Sequence, residues 1–150
     1  MRVAVDTNIL LYAEGMNDPE RQEQAEDLLE ALPAGDVVVP AQVLGELYRA
    51  LVAKARWSPT AAAAATRHWI EYFNVGVTGI DVLMSAFDIT TAHQLHIFDA
   101  IVLACAAEER CRLLISEDMQ DGFVHRGVTV VNPFAPQRHY LLEAALRPQA

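Results

Sequence analysis

Val3-Ala4-Val5-Asp6-Thr7-Asn8-Ile9-Leu10-Leu11 decides the fold class of this chain. A β-branched apolar run ends in an acid, a hydroxyl and an amide. Apolar residues then return at helical spacing through Ile9, Leu10, Tyr12 and Ala13. The pattern predicts a buried strand followed at once by a helix. Open α/β sheets bind their ligands in the crevice beyond the carboxyl ends of the strands, so this strand delivers Asp6 to such a crevice. The functional question is whether other acids reach the same edge.

Outward from this stretch, short continuous apolar runs alternate with helical patterns. Asp18-Pro19 supplies an N-cap and a first-turn proline for a helix over about Glu20–Leu32, with Ala25, Leu28, Leu29 and Leu32 on one stripe. Val37-Val38-Val39 reads as a strand and Ala41 to about Arg56 as a helix. Ser58-Pro59 starts another helix through the alanine run, which is strongly helix-forming. Val75-Gly76-Val77 reads as a strand, and Asp81 as the cap of a helix through about Gln94. The segment from Asp99 to about Arg110 is apolar nearly all round and predicts a central, buried helix. Leu113-Leu114-Ile115 and Val128-Thr129-Val130-Val131 are the last strands. Regular structure is expected to end at Asn132-Pro133, with a mobile tail after about Arg138. Short apolar strands alternating with helices predict a parallel sheet covered on both faces, in one domain spanning residues 1–150.

Bulk properties agree with a folded, soluble, cytoplasmic protein. The chain has 150 residues, of which 53% are hydrophobic, enough to build a core. No run approaches the roughly 18 apolar residues of a membrane span, and polar Asp6, Thr7 and Asn8 interrupt any secretion signal. A net charge of −9 argues against a basic nucleic-acid-binding surface. It leaves room for an enzyme whose acidic site is neutralised by metal ions, and for a basic protein partner. Cys105 and Cys111 lack a metal-type spacing and read as buried free thiols.

Each acid has a plain reading beside a functional one. Asp6 could cap the helix that follows it. Glu46 could pair with Arg49 on the surface, although it sits at the edge of the buried stripe beside Val43, Ala50 and Ala53. Asp99 could cap the apolar helix, and Asp118 could belong to a polar loop that turns at Asp121-Gly122. Jointly, two strand ends and two helices would place carboxylates on one edge of a parallel sheet. Such a group repels itself unless cations fill the gap, and hard oxygen ligands select Mg²⁺ or Mn²⁺.

With Asp6-Thr7-Asn8 after a strand, Glu46 in Val43-Leu44-Gly45-Glu46-Leu47, Phe98-Asp99-Ala100, and Ser116-Glu117-Asp118 after Leu114-Ile115, the chain resembles the PIN-domain nucleases. Order, spacing and length are similar to the VapC-type toxins of bacterial toxin–antitoxin pairs, over nearly the whole chain to about Asn132. The resemblance implies a three-layer α/β/α fold on a mostly parallel five-stranded sheet, and a Mg²⁺- or Mn²⁺-dependent endoribonuclease. It implies Asp6, Glu46 and Asp99 as the principal metal-binding acids, Asp118 as the fourth, and Asn8 and Ser116 as supporting polar groups. Many relatives have threonine, any residue and aspartate where this chain reads Ser116-Glu117-Asp118. Glu117 and Asp121 therefore remain alternatives to Asp118, and Asp121 is kept as a supporting candidate. The resemblance further implies an RNA substrate, a cognate antitoxin that lays a segment across the acidic groove, and a homodimer.

Phosphodiester hydrolysis requires an activated water, shielding of phosphate charge and a stabilised leaving oxygen, all of which carboxylate-held metal ions supply. Water as the nucleophile predicts 5′-phosphate and 3′-hydroxyl ends. Rival readings fit less well. An aspartyl phosphatase wants a second Asp where Asn8 stands and a lysine that Lys54, the only one, is badly placed to be. A non-catalytic module leaves the four acids unexplained, whereas a housekeeping RNA-processing nuclease shares the chemistry. His93 and His96, three apart, resemble a zinc pair superficially. Arg49, Lys54, Arg56 and Arg67 could guide an RNA backbone or be plain surface charge. Trp57 and Trp69 read as core residues ahead of base-stacking platforms.

Overall fold

The computed structural model describes residues 1–147. Strand β1 (Val3–Val5) leads into helix α1 (Thr7–Ala13), and helix α2 (Pro19–Ala31) follows a turn. A short 3-10 turn precedes β2 (Val37–Pro40), α3 (Ala41–Ala53), α4 (Pro59–Tyr72) and β3 (Asn74–Gly76). Helices α5 (Ile80–Ala92) and α6 (Ile97–Glu108) precede β4 (Leu113–Ile115), the two-residue β5 (Val124–His125), β6 (Val128–Val131) and α7 (Tyr140–Leu146).

The strands form one sheet in the order β3-β2-β1-β4-β6-β5, parallel throughout except for β5 against β6. Consecutive residues of β1, β2 and β4 are all buried. Successive strand side chains point to opposite faces, so helices cover both sides of the sheet as the apolar runs require. The five expected parallel strands are present. The sixth, β5, has too few residues to show a period in the sequence. Arg126 and Gly127, both at positive φ (46° and 83°), make the tight hairpin that folds it back on β6.

Strand β1 lies at the switch point of the sheet. The chain builds outward through β2 and β3 on one side, then returns to place β4 and β6 on the other. Val5 stands beside Ile115 in the parallel register, which brings the next residues of both strands, Asp6 and Ser116, side by side at the carboxyl edge. The Asp6 N–H donates to the Ile115 carbonyl at 3.0 Å. Such switch points are where open α/β sheets leave a crevice.

Some helix boundaries differ from those expected. Asp81 lies in the first turn of α5, and Gly79 is the N-cap. Likewise α6 starts at Ile97, with His96 Nδ1 accepting from the Phe98 N–H, which puts Asp99 within the first turn. Helix α3 stops at Ala53, short of Arg56, whose φ of 63° is incompatible with a continuing right-handed helix. Regular structure does not end at Asn132-Pro133: α7 docks Leu141, Leu142 and Ala145 against the domain, and burying these apolar groups orders the segment after Arg138. The last part of the expected tail, 148–150, lies outside the described residues.

Helix α6 carries the core. Ala100, Ile101, Val102, Leu103, Ala104, Cys105 and Ala106 are all buried. Its small side chains permit close approach to the sheet, closest at Gly76, where an added Cβ would lie 2.6 Å from Cys105 Sγ. The buried Cys105 thiol has its pKa pushed up to about 12 by desolvation, then by the Glu109 charge. Cys111 is also buried and free.

Candidate active site

Four carboxylates from four parts of the chain line one open cavity of about 340 Å³ at the carboxyl edge of β1: Asp6, Glu46, Asp99 and Asp118. Asp6 sits where β1 becomes α1 and is only 4% exposed. Its Oδ1 accepts from the Thr7 N–H at 2.8 Å, and its Oδ2 accepts from Ser116 Oγ at 2.7 Å. The capping reading of Asp6 is therefore true, and the cavity-lining one is true as well. Burial pushes its pKa up to about 6 against the lowering effect of these hydrogen bonds, and the Asp99 and Glu46 charges add to the rise.

Glu46 is not paired with Arg49. It projects from α3 toward α1, where Thr7 Oγ1 donates to its Oε2 at 2.7 Å. Asp99 is half-buried, and its pKa is raised by desolvation, then by Glu46 and Asp118, against a lowering by His96. Asp118 follows β4 and accepts a short hydrogen bond from Asn8 Nδ2. The mutual perturbation of the acids is the electrostatic sign of their convergence.

The neighbouring acids in the loop separate clearly. Glu117 accepts from the Tyr12 hydroxyl at 3.0 Å, lies 3.7 Å from the Arg21 guanidinium and does not line the cavity. Asp121 accepts from the Asn132 N–H at 2.9 Å, tying the loop to the end of β6, and does not line the cavity. Asn8 lines the cavity, while Ser116 is fully buried behind Asp6.

Residues 3–124 match the PIN domain as a family. The chain belongs to the PIN-domain family. Among solved structures it is similar to VapC20 of Mycobacterium tuberculosis, described as a sarcin-ricin loop cleaving toxin. The TM-score is 0.65 at 22% identity, over 77% of this chain and 91% of that one. It is also similar to a toxin–antitoxin complex from Klebsiella pneumoniae, with a TM-score of 0.68 at 23% identity, over 88% and 98% of the two chains. A third is VapBC2 from Rickettsia felis bound to a promoter DNA fragment, with a TM-score of 0.63 at 12% identity, over 87% and 97%. At these identities the likeness is one of fold. No curated protein matches the chain.

Among the described residues of this PIN domain, no three His, Cys, Asp or Glu side chains stand together as a metal-holding group. The donor chemistry nevertheless fits a hard divalent cation. All four cavity acids offer oxygen, and neither a thiol nor an imidazole is among the lining residues. A cation would also offset the carboxylate repulsion that, after desolvation, adds to the raised pKa values of Asp6 and Asp99.

Sequence reasoning missed one contact in the cavity and left open which of four cations enter it. The missed contact is that of Thr7, whose hydroxyl holds Glu46 across 39 residues. A hydroxyl directly after a strand-ending acid is the signal that could have flagged it. Arg49 and Lys54 line the cavity, whereas Arg56 and Arg67 do not. The histidine pair is dissolved by the fold: His93 packs edge-on to Phe123 and His96 caps α6. Trp69 stacks on Phe73 and donates through Nε1 to Glu14 at 2.8 Å, so it offers no free platform for a base.

Proposed function

We propose that this PIN domain is a Mg²⁺- or Mn²⁺-dependent endoribonuclease and the toxin of a toxin–antitoxin pair. The observation that carries the proposal is the convergence of Asp6, Glu46, Asp99 and Asp118 on one cavity at the sheet's switch point. These acids would hold the ion or ions, which activate water, shield the phosphate charge and stabilise the leaving oxygen. Asp6 is held in place by Ser116 and the Thr7 N–H, Glu46 by the Thr7 hydroxyl, and Asp118 by Asn8. Three of the four carboxylates are thus held in position by hydrogen bonds from neighbouring side chains or backbone, which orients them for a ligand. Hydrolysis by water leaves 5′-phosphate and 3′-hydroxyl ends.

The toxin role is favoured by the similar structures, one described as a sarcin-ricin loop cleaving toxin and another as a toxin–antitoxin complex. A basic antitoxin segment, inserting an arginine among the acids, complements the net charge of −9. A homodimer accounts for an apolar row on α5: Ile80, Met84 and Phe87 recur at helical spacing and are 72%, 59% and 50% exposed. No helix among the described residues is long and apolar enough to cross a membrane.

The test is cleavage of a pool of transfer and ribosomal RNA with Mg²⁺, Mn²⁺ or chelator. Wild type is expected to cut with either metal, and chelator and Asp6→Asn to abolish cutting. Products ending in 2′,3′-cyclic phosphate would overturn the mechanism, because the 2′-hydroxyl would then be the nucleophile. Met84→Lys is expected to convert a dimer to a monomer in sedimentation, and a monomeric wild type would remove the dimer.

A further inference from the structure

The cavity that holds the four acids also holds two cations that do not neutralise them. Arg49 and Lys54 line it, yet neither has a carboxylate within 4.0 Å among the described residues. The charges that perturb Asp6 and Asp99 are those of neighbouring carboxylates and, at Asp99, of His96. Opposite charges sharing one small cleft without pairing leave both sets open to a ligand.

Their placement follows from α3. At 100° per residue, Glu46, Arg49, Ala50, Ala53 and Lys54 fall in one sector of the helix, and all five line the cavity. The helical rise sets Arg49 about 4.5 Å and Lys54 about 12 Å along the axis beyond Glu46. The two alanines between them keep the floor low. A flat strip flanked by an arginine fork and a lysine point charge, leading away from the acids, suits an extended polyanion. A single phosphate at the acids would not reach Lys54.

We infer that Arg49 and Lys54 form a backbone-phosphate subsite that holds RNA phosphates next to the scissile one and sets the register of the strand on the acids. The inference rests on the ribonuclease reading above. Both residues are positioning residues. They act on the strand through its charge and therefore carry no base preference. Both are exposed, so neutralising them leaves the fold intact.

The test uses an RNA oligonucleotide that the wild type cuts, with Mg²⁺, over a series of KCl concentrations. Arg49→Gln and Lys54→Gln are each expected to raise KM about tenfold with kcat within about twofold. Each should also flatten the plot of log(kcat/KM) against log[KCl] by about 0.7, the share of one single-strand phosphate contact. Arg49→Lys and Lys54→Arg should restore the slope, Arg67→Gln on α4 should leave it unchanged, and every variant should bind Mn²⁺ at least as tightly as the wild type. Wild-type cleavage with KM and salt slope unmoved by both Gln variants overturns the subsite alone. A fall in kcat at constant KM and slope also overturns it, since the cations would then act on the reacting centre. Absence of any wild-type RNA cleavage removes the ribonuclease reading, and the subsite with it.

Discussion

Ser116 Oγ donates a 2.7 Å hydrogen bond to Asp6 Oδ2 across 110 residues of sequence, and both residues are buried. The parallel register of β1 and β4 makes the contact, because Val5 and Ile115 are partners and the next residue of each strand emerges at the same edge. The bond holds a carboxylate that burial would otherwise drive toward its neutral form.

Asp6 therefore makes the metal-free protein less stable above its own pKa. Its folded pKa is about 6 against an ordinary value of 3.8, so the folded state keeps a proton that the unfolded state has released between those values. Stability falls as pH rises through that window, and the cost, on the order of 3 kcal/mol, is complete above pH 6. Asp6→Asn is expected to raise metal-free stability at neutral pH by about 1–3 kcal/mol while abolishing cleavage. Urea unfolding at pH 4 and pH 7.5 checks this, and an unchanged pH profile in the variant would contradict it.

Divalent metal should reverse that cost. Mg²⁺ or Mn²⁺ at about a hundred times its Kd adds about 2.7 kcal/mol, which raises Tm by roughly 5–10 °C in a domain of this size. Differential scanning fluorimetry with and without chelator reads the shift. The same titration on Asp99→Asn should give little or none, and an equal shift there would place the ion elsewhere.

Thr7→Val keeps the side-chain shape and removes the donor to Glu46. A freed Glu46 is expected to lower metal affinity or cleavage about 10–100-fold, with a stability loss of about 1 kcal/mol. Thr7→Ser restores the hydroxyl and should recover most of the activity. Mn²⁺ titration calorimetry alongside cleavage kinetics separates this effect from simple unfolding.

Three acids follow β4, and their partners predict different outcomes. Asp118→Asn should lower cleavage strongly, because Asp118 lines the cavity. Glu117→Gln weakens ties to Tyr12 and Arg21, and Asp121→Asn weakens one to the Asn132 N–H. Both should cost about 0.5–1.5 kcal/mol of stability and leave kcat within a few-fold. Kinetics on the three purified variants would expose a reversed order.

Gly76→Ala places a Cβ 2.6 Å from Cys105 Sγ and 3.2 Å from Val38 Cγ1. Overpacking between β3 and α6 is expected to cost about 1–3 kcal/mol. Cys105→Ala in the same chain removes the nearest atom and should recover part of the loss. A double variant no more stable than Gly76→Ala alone would shift the clash to the Val38 side.

Much of this protein is written locally. The apolar runs Val3–Val5, Val37–Val39 and Leu113–Ile115 show period and length without reference to any partner, as does the all-round apolar helix after Asp99. Their alternation fixes a parallel sheet covered on both faces, because such strands have no polar side to leave in water. The gathering of Asp6, Glu46, Asp99 and Asp118 was also legible, as acids beside strand ends or on helices at one edge, and all four line one cavity. Pairings across the fold were not. Strand register chose Ser116 for Asp6, and the approach of α1 to α3 chose Thr7 for Glu46 in place of Arg49. The turn of the β4 loop sent Asp118 to the cavity, Glu117 to Tyr12 and Asp121 to Asn132. Local pattern reports which face a residue occupies, whereas a hydrogen-bond partner is settled only when distant elements pack. For the same reason the sequence named four cationic side chains near Glu46, and only the packed helices showed that two of them, Arg49 and Lys54, enter its cavity.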